Sequence, residues 1–157
     1  MHEPALNEEP VRWKRRLAAE ANNRAWALSE RLSRTAAEDE EMLHAAHAAM
    51  YFWAQVGDGG NKAHAAQLLA HVHAALGQAE AARSYLAQSA PAFSGEAAQP
   101  WERALAQVVA AHVAAVSGDG AAHAAAYGLA VKQIAALEDA QDREILKASL
   151  RVVPVPR

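Results

Sequence analysis

Apolar positions recur at steps of three and four along most of this chain, the spacing that lines one face of an α-helix. Trp13, Leu17, Ala21, Ala25, Leu28 and Leu32 form the first stripe, opposite Lys14, Arg15, Glu20, Asn22 and Arg31. Thr35 followed three residues later by Glu38 is a capping-box pattern, so a second helix starts there with acids in its first turn. From Met42 to Val56 that helix carries no charge and includes Met50, Tyr51, Phe52 and Trp53, which predicts a buried central helix. The run Gly57-Asp58-Gly59-Gly60-Asn61 stops it, with glycine supplying left-handed dihedrals and Asn61 capping the next helix. Ala65, Leu68, Leu69, Val72 and Leu76 mark this third helix, ended by Gly77, and a short fourth runs over residues 79–89 with Ala82 and Leu86 inward. Residues 91–100, which hold Pro91, Ser94, Gly95 and Pro100, read as the longest structureless connection. Trp101, Leu105, Val108, Val109, His112 and Val116 form a fifth helix. Ser117-Gly118-Asp119-Gly120 turns the chain into a sixth bearing Tyr127, Val131 and Ile134. A seventh, from about Glu138, sets Ile145, Leu146 and Leu150 opposite Arg143, Lys147 and Arg151, until Pro154 and Pro156 end it.

The pattern predicts an all-α fold of about seven helices stacked as antiparallel helical hairpins. Residues 1–10 are expected to form a flexible arm broken by Pro4 and Pro10, residues 11–153 a single helical domain, and residues 154–157 a tail. Composition agrees: 43 of the 157 residues are alanine, the best helix former and small enough for close helix contacts. Ile134 and Ile145 are the only isoleucines, so a large sheet is not expected. The chain has no cysteine, which excludes disulfides and thiolate chemistry. With 15 basic and 18 acidic residues, it lacks the charge excess of a nucleic-acid binder. The longest uncharged stretch, residues 63–79, carries three histidines and is shorter than the roughly 20 apolar residues of a membrane span. No signal-peptide pattern precedes the first helix, so a cytoplasmic protein with no membrane or nucleic-acid partner is expected.

Aligning Gly77 with Gly118 superimposes two helix-turn-helix units. Residues 65–89, AAQLLAHVHAALGQAEAARSYLAQS, resemble a tetratricopeptide repeat: Leu69-Ala70 stands for the large-small pair of its first helix, Gly77 for its turn glycine and Ala82 for the small residue of its second helix. Residues 104–130 are similar but looser, keeping Gly118-Asp119 and an Ala-rich second helix. His73 stands where an aromatic is usual, and most of the aromatic anchors of the family are replaced by alanine. The stretch EEMLHAAHAAMYFWAQVG, residues 40–57, resembles small bacterial tetratricopeptide-like proteins, a likeness that extends over most of the chain from about residue 36. It implies an α-α superhelix and supplies no activity.

In such arrays the first helices of successive hairpins line a concave groove. The resemblance therefore puts a polar strip of His64, Gln67 and His71 in the groove, with His112 on the fifth helix where His71 falls on the third. The first helix would add Asn23, Trp26 and Glu30, an aromatic anchor among polar groups. Trp13, Trp53 and Trp101 sit on apolar stripes and read as core. The basic run Arg12, Lys14, Arg15 and Arg16 is flanked by Glu8, Glu9 and Glu20 and reads as a solvated face. The alternative is a metal or small-ligand site. Glu41, His44 and His47 lie at steps of three on one helix, matching half of a carboxylate-bridged di-iron pattern, with a further ligand such as His112 drawn from another helix. There is no second Glu-x-x-His copy, no Gly-rich phosphate loop, no nucleophile elbow and no His-Glu-x-x-His. The expected function is a non-enzymatic interaction module that needs no cofactor and binds a protein or peptide partner or self-associates as a homo-oligomer.

Overall fold

A computed structural model describes residues 8–157. The chain forms α1 (Glu8–Ser29), α2 (Ala36–Val56), α3 (Gly59–Ala75), α4 (Ala79–Phe93), α5 (Pro100–Val116), α6 (Gly120–Ala135) and α7 (Ala140–Arg151), with no strand among the described residues. The expected N-terminal arm lies mostly outside them. Its last residues are already helical: α1 starts at Glu8 and takes Pro10 into its first turn, where a missing N–H costs no intrahelical bond.

The helices pair as three antiparallel hairpins, α1 with α2, α3 with α4 and α5 with α6, and α7 packs on α5 and α6. The first helices touch in series, α1 on α3 and α3 on α5. This arrangement makes α3 the central element. Its buried residues run almost without a break from Ala63 to Ala74, polar Gln67, His71 and His73 among them. The expectation that α2 is buried all round is corrected. It buries only Met42, Ala46 and Ala49, and Tyr51 is 65% exposed. The lack of charge in α2 reflects its many alanines, which leave little apolar area to hide on the outer face.

Two core clusters result. Leu28, Met42, Leu68, Leu69 and Val72 fill the first, and Val108, Val109, Ile134, Leu137 and Leu146 stand in the second. Trp26 and Tyr85 pack against both and join them. Trp13 and Trp101, expected in the core, are exposed instead, at 51% and 37%. Both lie near the starts of their helices, whereas Leu28 and Val108 further along the same stripes are buried.

The second and third hairpins repeat with an offset of 41 residues, the separation of His71 and His112, and α3 and α5 begin and end in register. Gly77 and Gly118 have φ of 73° and 74°. Each sits in the same Schellman-type turn: Gln78 N–H donates to His73 O at 2.9 Å, and Asp119 N–H donates to Ala114 O at 3.1 Å. Gly57 has a different reason. Its φ of −88° is open to any residue, but a Cβ there would lie 2.7 Å from Trp53 O and 2.8 Å from Asn61 Cβ. Asp58, not Asn61, caps α3, and Asn61 returns the bond as the other half of the capping box.

The long connection expected over residues 91–100 is shorter. α4 continues through Pro91 to Phe93, because Phe93 is buried against His64 with ring centroids 4.7 Å apart. Pro91 forfeits only one bond near the helix end. Residues 94–99 then turn with Ala98 buried, and its carbonyl accepts a bond from Arg103 at 2.7 Å.

Candidate functional site: a tryptophan-lined cleft

The first helices of the three hairpins leave an open cleft of about 320 Å³ between them. α1 contributes Ala19, Asn22, Asn23 and Trp26, α3 contributes Asn61 and His64, and α5 contributes Trp101 and Leu105. Trp53 enters from the end of α2. Three indoles and three carboxamides thus share one concave surface.

His64 is held at its edge. Its ring stacks on Trp101 at 5.6 Å with an interplanar angle of 11°, and its Nε2 lies 2.9 Å from Glu102 Oε1. The second oxygen of Glu102 accepts the backbone N–H of Gln99 at 2.7 Å, the capping box of α5. A carboxylate can only accept, so Nε2 of His64 carries the proton that it donates to Glu102. The cleft offers an imidazole held in place by Glu102 and Trp101, carboxamides at Asn22, Asn23 and Asn61, the last with its Oδ1 already accepting from Asp58, and flat apolar faces at the tryptophans. No serine, threonine or cysteine lines it.

Of the groove residues expected from sequence, Asn23, Trp26 and His64 line this cleft. Gln67, His71 and His112 do not line it and are buried, at 1%, 0% and 6% exposure, so they are not open to a partner there. His71 and His112 face each other, Nδ1 to Nδ1 at 3.1 Å, and Trp26 covers His71 with ring centroids 5.2 Å apart. Burial, then the neighbouring charges, holds both imidazoles below their ordinary range. His71 lies well below it and His112 falls to about 4. Glu30 sits away from the cleft, where it accepts the Ser149 hydroxyl at 3.2 Å; desolvation raises its pKa against that bond and the charge of Arg151.

Sequence spacing gives no groove role to Trp53, Trp101, Asn22, Asn61 or Leu105, which the fold brings to the cleft. The repeat register is a signal for Leu105, which stands one offset from His64 as His64 stands one offset from Asn23. Trp101 is masked by lying on the apolar stripe of α5. His73 stacks on Tyr85 at 5.5 Å, with its Nδ1 donating to Gln78 Oε1 at 2.6 Å.

The alternative metal set is not assembled. Arg24 donates to both carboxylate oxygens of Glu41, at 2.7 and 3.1 Å, and His44 and His47 are exposed rather than core. His112 is engaged with His71, and among the described residues no three His, Cys, Asp or Glu side chains converge on a point that could hold a metal ion. In the basic run, Arg15 donates to Val56 O at 2.6 Å, capping the end of α2, and Arg16 pairs with Glu20 at 3.3 Å. Among the described residues, no helix is long and apolar enough to cross a membrane.

Comparison of the chain with protein-family models, with curated proteins and with solved structures finds no match.

Proposed function

We propose that this protein is a non-enzymatic interaction module of tetratricopeptide-like type whose cleft holds an extended segment of a protein or peptide partner. The observation that carries the reading is the make-up of the cleft. Trp26, Trp53 and Trp101 provide apolar faces of the kind that dominate recognition energetics, while Asn22, Asn23 and Asn61 can pair with peptide amides. Supporting it, the wall is built from the first helix of every hairpin, and the one oriented imidazole, His64, has no nucleophile beside it in the cleft.

The test is selection of peptides from a random display library on the intact protein, followed by titration of the winners. Trp53→Ala and Trp101→Ala should each weaken binding about tenfold or more, as truncation of an aromatic hot spot does, with little change in melting temperature because both side chains are partly exposed. Enriched peptides that bind both variants as tightly as the wild type would place recognition elsewhere and sink the proposal.

A further inference from the structure

A second pocket, of about 310 Å³, opens where α1 and α3 end and the chain leaves α7. Every ionisable side chain lining it is basic: Arg31, Arg34, His112 and Arg151. Arg34 is bound through Nε to Asp39 at 2.6 Å, and Arg31 pairs with Glu38. Both acids sit in the first turn of α2 and neither lines the pocket. Arg151, in the last turn of α7, makes no ion pair among the described residues. The segment after it is pinned, since His123 Nε2 donates to Pro154 O at 2.6 Å and Val153 is 3% exposed.

The floor of the pocket has a defined polarity. In the His71–His112 contact one Nδ1 must donate and the other accept. His71 is fully buried and its Nε2 has no partner. A bare acceptor nitrogen there costs less than an orphaned N–H, so His71 carries its proton on Nδ1 and donates to His112. His112 then holds its proton on Nε2, the ring nitrogen left without a partner in the chain. A donor and three guanidinium groups thus border one concave space with no carboxylate in its lining.

We propose that this pocket binds a compact oxyanion, a sulfate or phosphate group, between Arg34, Arg151 and His112. The groups facing His112 are Arg34, His71 on α3 and His123 on α6, with Glu30 set against Arg151 at the rim. None of the groups around the imidazole itself is an anion, and a bound oxyanion would supply that missing charge. Protonation of His112 and anion binding therefore favour one another, and affinity rises as pH falls. This site is separate from the tryptophan cleft and does not depend on the function proposed for it.

The experiment is thermal melting and titration calorimetry of the intact protein with sodium sulfate against sodium chloride at matched ionic strength, at pH 5.5 and 7.5. Sulfate stays dianionic across that range, so any pH effect belongs to the protein. The expected result is a saturable one-to-one sulfate heat and a raised melting temperature, with binding at least threefold tighter at pH 5.5. Arg151→Gln should weaken it at least tenfold, whereas a general salting effect would be the same in both proteins. O-phosphoserine binding more tightly than sulfate would assign the site to a phosphate ester, and equal binding to the free ion. No sulfate heat in the wild type at either pH, or an Arg151→Gln protein that binds as the wild type does, overturns the proposal.

Discussion

Two imidazoles facing each other in a helical core are tolerated while both are neutral, and the guanidinium of Arg34 beside them adds to the cost of charging either. In the unfolded chain the same side chains titrate near 6.5, so the folded values are depressed. The unfolded state then binds protons below about pH 6.5 that the native state refuses, and the stability due to the pair is complete above that value and lost as pH falls toward 4. For His112 alone the loss by pH 4 is on the order of 3 kcal/mol. Chemical unfolding followed by helical circular dichroism should show a plateau from pH 8 to 7 and a falling midpoint below 6.5. A His112→Leu protein should lose part of that slope, and an unchanged slope would assign the acid sensitivity to other groups. Sequence spacing puts His71 and His112 at equivalent positions, and the fold keeps them there. Which side of the helix faces outward is not legible, because polar residues every third or fourth position look the same on a solvated face and in a hydrogen-bonded core.

At the level of elements, the two turns closing α3 and α5 set the repeat, and each depends on one residue with positive φ. Gly77→Ala and Gly118→Ala should each cost on the order of 1 kcal/mol, since the space is free but the backbone region disfavours a Cβ. Gly128, inside α6 with nothing within 4 Å of an added Cβ, should respond oppositely. Gly128→Ala is expected to gain about 0.5–1 kcal/mol by helix propensity. Urea midpoints of the three variants check both signs together. Helix starts and turns are legible because caps and glycines are local: Thr35, Gly77 and Gly118 each act where the pattern puts them. The end of α4 is not, since Pro91 signals a stop and only the docking of Phe93 on His64 keeps the helix going. Burial of α2 escapes the pattern for a related reason. An uncharged helix and a covered helix differ only in what lies next to them.

Across the whole molecule, Trp26 and Tyr85 pack against both core clusters, and α7 closes the open side of the last hairpin with Leu146 at 2% exposure. Damage at one end is therefore felt throughout. Leu146→Ala should cost about 2–4 kcal/mol, and it should lower the midpoint seen by tryptophan fluorescence and by circular dichroism together. Separate transitions would mean that the two clusters melt independently, as in a longer repeat array. The tryptophan cleft lies partly within reach of the sequence, through Asn23, Trp26 and His64, but its outline needs three helices placed side by side. The basic pocket is not visible there at all, because Arg34, His112 and Arg151 are far apart in the chain and meet only when α7 folds back. The indole of Trp26 is also a reporter on the core beneath it. Indole excited states lose an electron readily to an imidazolium and far less readily to a neutral imidazole. With its ring laid over His71, Trp26 is a built-in optical gauge of the charge in the histidine pair: its emission should dim when the core is acidified, before the helices come apart.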